Sequence, residues 1–169
     1  MISIFKYIIV SILVSFSFAD KYSTVKDSIK WTLEYIDMYS EDAADLIFKT
    51  GMAESAYKTV KQYNGGPAIG YWQVEPNTMY DIMENYVKYR PKLEKLLISL
   101  GYSDSDSETR VMNNMSLQIV FCRLKYKMSR FPLPEAGDLE SQAKYWKKIY
   151  NSYLGKGTVK HFMEANYAS

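Results

Sequence analysis

The sequence predicts a mainly α domain with one small β-hairpin set between its second and third helices. Apolar residues recur at three- and four-residue spacing through most of the chain, which is helical periodicity. A single dense cluster of turn formers, Asn64-Gly65-Gly66-Pro67 with Gly70 close behind, interrupts that pattern. One late segment is apolar around so much of its circumference that it reads as a central, buried helix. At 169 residues the chain has the size of one domain and can bury a core without metal or disulfide.

The elements follow in order. Lys6 precedes a charge-free, largely apolar run from Tyr7 to Ala19 that ends Ser17-Phe18-Ala19, the pattern of a signal peptide with a small-x-small cleavage site. Residues 1–19 are therefore expected to be a signal peptide or a membrane anchor, with residues 20–169 as the folded domain. The run is shorter than the roughly 20 apolar residues a spanning helix needs, which favours export over anchoring. Ser23 to Tyr39 carries Val25, Ile29, Leu33, Ile36 and Tyr39 on one face and charges between them, an amphipathic helix. Ser40 is an N-cap for a second helix, with Glu41 and Asp42 in its first turn. Its apolar positions Ala43, Leu46, Ile47 and Thr50 step onto Glu54, placing a carboxylate at the C-terminal end of a buried stripe.

The hairpin is expected over 56–74, with Ala68 to Val74 as its return strand. Pro76 suits the first position of a helix, with Glu75 at the cap, and Thr78 to Tyr89 continues it. Pro91 interrupts, and Lys92 to Leu100 forms another helix that stops at Gly101. Ser105-Asp106-Ser107-Glu108 reads as a capping box opening the long central helix to about Met128, with Val111, Met115, Ile119, Cys122 and Tyr126 in one stripe. After the extended Phe131-Pro132-Leu133-Pro134, a helix is expected over Leu139 to Tyr153, and Thr158 caps a last one through Ala165.

Composition excludes several functions. Lys+Arg and Asp+Glu nearly balance to a net charge of +2, which leaves no basic footprint for nucleic acid. Cys122 is the only cysteine and His161 the only histidine, so neither an intrachain disulfide nor a structural zinc site can form, and no metal or cofactor is expected. Cys122 reads as a small buried hydrophobe, His161 as a structural or solvent-facing residue, and Trp31 and Trp146 as packing residues. The sixteen tyrosines exceed ordinary usage and suit either a core or a surface that stacks on sugar rings.

Glu54-Ser55 at a helix end, Gly70-Tyr71-Trp72-Gln73 at the close of a Gly-rich hairpin, and Tyr150-Asn151 in a late helix, taken together, resemble the lysozyme-like lytic transglycosylases. The family's usual strings are Glu-Ser, Gly-Leu-Met-Gln and Ala-Tyr-Asn-Ala-Gly, and here Ile149 and Ser152 stand where alanines flank the third. The run from Gly51 to Tyr86 is similar to the lysozyme-like proteins of bacteriophages, and the likeness spans about Asp42 to Phe162. The resemblance implies a lysozyme-like fold and cleavage of peptidoglycan between N-acetylmuramic acid and N-acetylglucosamine, in phage lysis or cell-wall turnover. It implies Glu54 as acid and base, Ser55 as a partner steadying it, Gln73 as a substrate-positioning amide, and Tyr150 directed at the acid or the N-acetyl group, with Asn151 beside it.

Chemistry agrees with that role for Glu54, since protonating a leaving oxygen near neutral pH needs a carboxyl whose pKa an apolar site has raised. A lone helical Glu is ordinarily a solvated charge, and the neighbouring hairpin with Gln73 is what makes Glu54 a candidate. Glu75 is the candidate second carboxylate. It could be the base of an inverting hydrolase, or it is a helix-end charge beside Pro76, the favoured reading. Tyr71 and Trp72 could stack on sugars, although alternate strand residues face opposite ways and one of the pair belongs to the core. Peptidoglycan strands are the expected partner, with transient membrane association through residues 7–19, a monomeric state, and a location in the periplasm or envelope of a bacterial host. A chitin-type hydrolase and a non-catalytic glycan-binding or virion protein on the same fold are the alternatives.

Overall fold

The apolar stripe of the first segment becomes helix α1 over residues 21–35, burying Val25, Ile29 and Leu33 against the core, with Ile36 just beyond it. The computed structural model describes residues 21–62, 65–153 and 155–167. The expected signal segment 1–19 and Asn64 of the turn cluster lie outside the described residues. Among the described residues the fold is mainly helical, and no helix is long and apolar enough to cross a membrane.

Helix α2 (Glu41–Ser55) starts as its sequence demands, with Ser40 Oγ accepting from Ala43 N at 3.1 Å. Ala43, Leu46, Ile47 and Thr50 are all buried, so the stripe leading to Glu54 is real. Helix α3 (Pro76–Asn85) opens with Pro76 in its first turn and Glu75 as N-cap, then gives way to a 3-10 turn at Val87–Tyr89. Pro91 opens α4 (Pro91–Ser99), after which Gly101, at φ 98, takes the left-handed turn that ends the segment.

Two expectations about the long helices are corrected. The segment expected to run unbroken from Ser105 to Met128 is two helices, α5 (Ser107–Met112) and α6 (Met115–Lys127). The capping box does not form: Asp106 is the N-cap of α5, sits at φ 62, and its side chain makes no capping bond. The break falls at Asn113-Asn114, where Asn114 Oδ1 accepts from Leu117 N at 3.2 Å and its Nδ2 donates to Leu100 O at 2.8 Å. Asparagine competes with the helix for backbone partners, and that chemistry outweighs the continuous apolar pattern. Likewise the helix expected over Leu139 to Tyr153 is α7 (Leu139–Tyr145) followed by a wider π-helical turn at Trp146–Asn151. The final helix, α8 (Val159–Asn166), is capped by Thr158 Oγ1, which accepts from His161 N at 3.1 Å.

The core lies around α6, whose residues from Leu117 to Leu124 are all buried. α2 packs on α6 and α8, and α7 packs on α8, which brings the C-terminal end of α2 between the π-helical turn and the last helix. The expected hairpin forms only in minimal, irregular shape: Ile69 bridges Lys61 antiparallel, with Gln62 N donating to Ala68 O at 3.2 Å and Gly70 N to Val60 O at 2.9 Å, and then bridges Val74 across a tight turn at residues 70–73. No strand runs from Ala68 to Val74, because the left-handed backbone of Gly70 (φ 75) and Gln73 (φ 48) reverses the chain there.

These caps predict a contrast in stability. Asn114→Ala removes a helix cap and the bond to Leu100 O and should cost about 1–2 kcal/mol in urea unfolding. Glu108→Ala should leave the midpoint unchanged, because its capping box is absent; a comparable loss in both variants would contradict this account of the α5–α6 break.

Candidate active site

The chain turns abruptly after Glu54-Ser55. Ala56 (φ 48) and Tyr57 (φ 55) are both left-handed, an uncommon pairing for residues with a Cβ. The turn folds the buried Tyr57 ring back along α2, where its hydroxyl donates to Phe48 O at 2.7 Å. Gly51 makes that return possible, since a Cβ there would lie 2.4 Å from the Tyr57 hydroxyl oxygen. Ser55 Oγ donates to Tyr71 O at 2.7 Å and accepts from Tyr57 N at 3.1 Å. Ser55 thus fastens the end of α2 to the 70–73 turn and does not bond to Glu54, correcting its expected role.

The turn itself is clamped from α6. Gln118, buried in that helix, accepts from Tyr71 N at 2.8 Å and donates to Met112 O at 2.9 Å. A Cβ on Gly70 would sit 2.6 Å from the Gln118 side chain, so only glycine fits against the clamp. Trp72 is fully buried and donates its indole N–H to Ile47 O at 2.8 Å, which removes it from any sugar-stacking role. Tyr71 is half-buried and meets Tyr57 edge-on, with ring centroids 5.8 Å apart. Gln73 is half-buried and donates its amide to Gly70 O at 2.7 Å.

Tyr150 and Asn151 are also corrected. The Tyr150 hydroxyl, expected to be directed at the acid or the sugar, is buried and donates to Trp72 O at 2.7 Å, holding the turn, while the negative charge of Glu54 still acts on it. Asn151 Oδ1 accepts from Lys147 Nζ at 2.9 Å, and the same ammonium donates to Ser152 O and Gly155 O. Asn151 therefore organises the loop after the π-helical turn. Glu75 is exposed at the start of α3.

Trp146, read from sequence as a packing residue, supplies a hydrogen bond to the Glu54 carboxyl. Its indole N–H donates to Glu54 Oε1 at 3.0 Å. The ring is held by Phe162 at a centroid separation of 5.2 Å and by Gly157, where a Cβ would come within 2.5 Å of the indole. His161 has a partner after all: Nε2 lies 2.8 Å from Ala53 O, and because a carbonyl only accepts, that nitrogen carries a hydrogen. Lys125 completes the surroundings, its ammonium 4.2 Å above the Tyr150 ring. Trp146 stands four residues before Tyr150, one helical step, which was the available signal that the two share a face. For Lys125 and Gln118, lost among the apolar residues of α6, the sequence offered no comparable signal.

Burial pushes the Glu54 carboxyl up to about 7, against the opposing effects of the Trp146 hydrogen bond and the electrostatic influence of Lys125 and His161. Burial also lowers the Lys125 ammonium, while the negative charges of Glu54 and Glu75 work the other way. The site therefore combines a carboxyl that is part protonated at neutral pH with an indole fixing one of its oxygens. Surface hollows of about 220–360 Å³ open elsewhere on the described residues, and none of the four is lined by Glu54. Comparison of the chain with protein-family models, with curated proteins and with solved structures gave no match.

Stability should register the raised carboxyl. The folded state holds the Glu54 proton up to about pH 7, whereas the unfolded chain releases it near 4.5, so the folded state binds more protons between those values. Stability should fall as pH rises through that window, by at most about 3 kcal/mol. Asp45 and Asp138 are both lowered and act below it. Urea unfolding at pH 5 and pH 8 should show this loss in the native protein and not in Glu54→Gln; parallel behaviour of the two would contradict the assignment.

Proposed function

We propose that the protein is a lysozyme-like glycosidase that cleaves peptidoglycan between N-acetylmuramic acid and N-acetylglucosamine, with Glu54 as its acid and base. The observation that carries this reading is a carboxyl at the end of α2, raised by burial to about 7 and oriented by an indole, beside the 70–73 turn. Because Trp146 donates to Oε1, that oxygen serves as the carbonyl acceptor of the protonated acid, and the proton sits on Oε2. From Oε2 it passes to the glycosidic oxygen as the bond to the sugar C1 breaks, leaving an oxocarbenium-like centre and a Glu54 carboxylate.

The transglycosylase route then closes the cycle. The carboxylate takes the proton of the same sugar's 6-hydroxyl as that oxygen bonds to C1, giving a 1,6-anhydro ring, consuming no water and restoring the acid. One carboxylate suffices. An inverting hydrolase would need Glu75, exposed at the start of α3, to hold a water opposite Glu54, whereas this route needs no second carboxylate. Tyr71 and Gln73, both half-exposed on the turn, are the residues placed to meet sugar, with the Gln73 carbonyl oxygen as acceptor. In this reading residues 7–19 direct export, and the enzyme works at the bacterial envelope in wall lysis.

A non-catalytic glycan binder on the same fold is the alternative reading. Two measurements decide. Glu54→Gln should keep the fold and abolish the clearing of purified cell walls, by at least about 100-fold for loss of a general acid; clearing retained by that variant, or absent from the native protein, removes the enzymatic reading. Mass spectrometry of the released muropeptides should give anhydro ends, and reducing ends carrying added water would assign the hydrolytic route.

A further inference from the structure

We infer that the exposed face of α1 carries a second saccharide-binding site, built on Trp31 and separate from Glu54. Trp31, read from sequence as a packing residue, is 53% exposed, and Tyr35 one helical turn on is 38% exposed. The two rings stack nearly parallel, 5.2 Å between centroids and 16° between planes, so Tyr35 backs one face of the indole and holds it in place. Tyr35 is pinned by its hydroxyl, which lies 2.8 Å from Ser99 Oγ on α4.

Beside the indole lies a hollow of about 330 Å³ lined by Trp31, Thr24, Asp27, Ser28 and Ser116. Thr24, Ser28, Trp31 and Tyr35 recur at the three- and four-residue steps that share a helix face, and they extend along about 17 Å of α1 at 1.5 Å per residue. The polar groups are complementary to hydroxyls. Ser28 Oγ donates to Thr24 O at 2.8 Å, which leaves its oxygen to accept. Ser116 Oγ receives a hydrogen from Thr32 Oγ1 at 3.2 Å, which leaves its own hydrogen to donate. Asp27 adds a carboxylate acceptor to the same wall.

A flat ring beside a cluster of hydroxyls and one carboxylate matches a pyranose. The apolar C–H face of the sugar lies on the indole and its equatorial hydroxyls and amide reach the polar wall. Lipid would leave Asp27 and the serines without partners, and an anionic ligand would meet the Asp27 charge. The occupant is a β-1,4-linked N-acetylhexosamine chain. The choice of this polymer rests on the proposed function, while the case for a saccharide stands on the face itself. Such a site would hold the protein on its polymer while Glu54 acts, raising the local concentration of bonds at the candidate active site.

The three tryptophans permit a direct test, because Trp72 and Trp146 are buried and only Trp31 faces solvent. The full chain carrying Glu54→Gln, labelled at the indole nitrogens, is titrated with tetra-N-acetylglucosamine and followed by NMR. The Trp31 signal, assigned by its loss in Trp31→Ala, should shift saturably, and Trp31→Ala or Asp27→Ala should weaken binding to insoluble peptidoglycan about tenfold or more while leaving the fold intact. An unmoved Trp31 signal, or binding unchanged in the Asp27→Ala protein, overturns the site. Neither outcome depends on wall clearing by the native protein, so failure here and failure of the catalytic reading are distinguishable.

Discussion

A helix covered on nearly every side must satisfy its polar side chains within the fold, and α6 is such a helix. Its solutions determine the surroundings of Glu54. Gln118 accepts from Tyr71 N in the 70–73 turn on one side and donates to Met112 O on the other. Tyr126 lies 2.7 Å from Thr50 Oγ1, whose own hydrogen goes to Leu46 O in α2. Lys125, at the half-buried edge of the helix, rests on the face of Tyr150, and Tyr150 in turn bonds to Trp72 O. The 70–73 turn, α2 and the π-helical turn are therefore all fastened to one central element, next to the Glu54 carboxyl.

That placement accounts for the chemistry of the carboxyl. Desolvation raises it, and the three opposing influences come from three different elements, Trp146 of the π-helical turn, Lys125 of α6 and His161 of α8. No one of them is an ion pair that would hold the group fully charged; together they bring it back to about 7 rather than higher. The π-helical turn matters because its wider spiral carries Trp146 and Tyr150 inward at once, the first to Glu54 and the second to the 70–73 turn. Gly51 and Gly70 matter for the same reason of space, each accepting a neighbouring side chain where a Cβ would collide.

Much of this was legible in the sequence where local chemistry and tertiary packing agree. The stripe from Ala43 to Glu54, the Ser40 and Thr158 caps and the buried central helix were all readable, because periodicity and capping are local signals. Asn113-Asn114 broke a pattern that hydrophobicity alone ran through, and the Ser105–Glu108 box lost to a left-handed Asp106. The side-chain partners were not legible. Ser55, Tyr150 and Asn151 sit at motif positions yet bond to backbone or to Lys147, while Trp146, judged a packing residue, reaches the carboxyl across 92 positions of sequence. Spacing along a chain identifies a shared helix face, but which distant carbonyl a hydroxyl will meet depends on how the helices cross.

The account rests on Glu54 being a carboxyl that keeps its proton near neutral pH. Carbon-13 NMR of the labelled side-chain carboxyls, with the Glu54 signal assigned by its absence in Glu54→Gln, measures that property without reference to any substrate. The account predicts a titration midpoint near 7. A midpoint at the ordinary value of about 4.5 would contradict it.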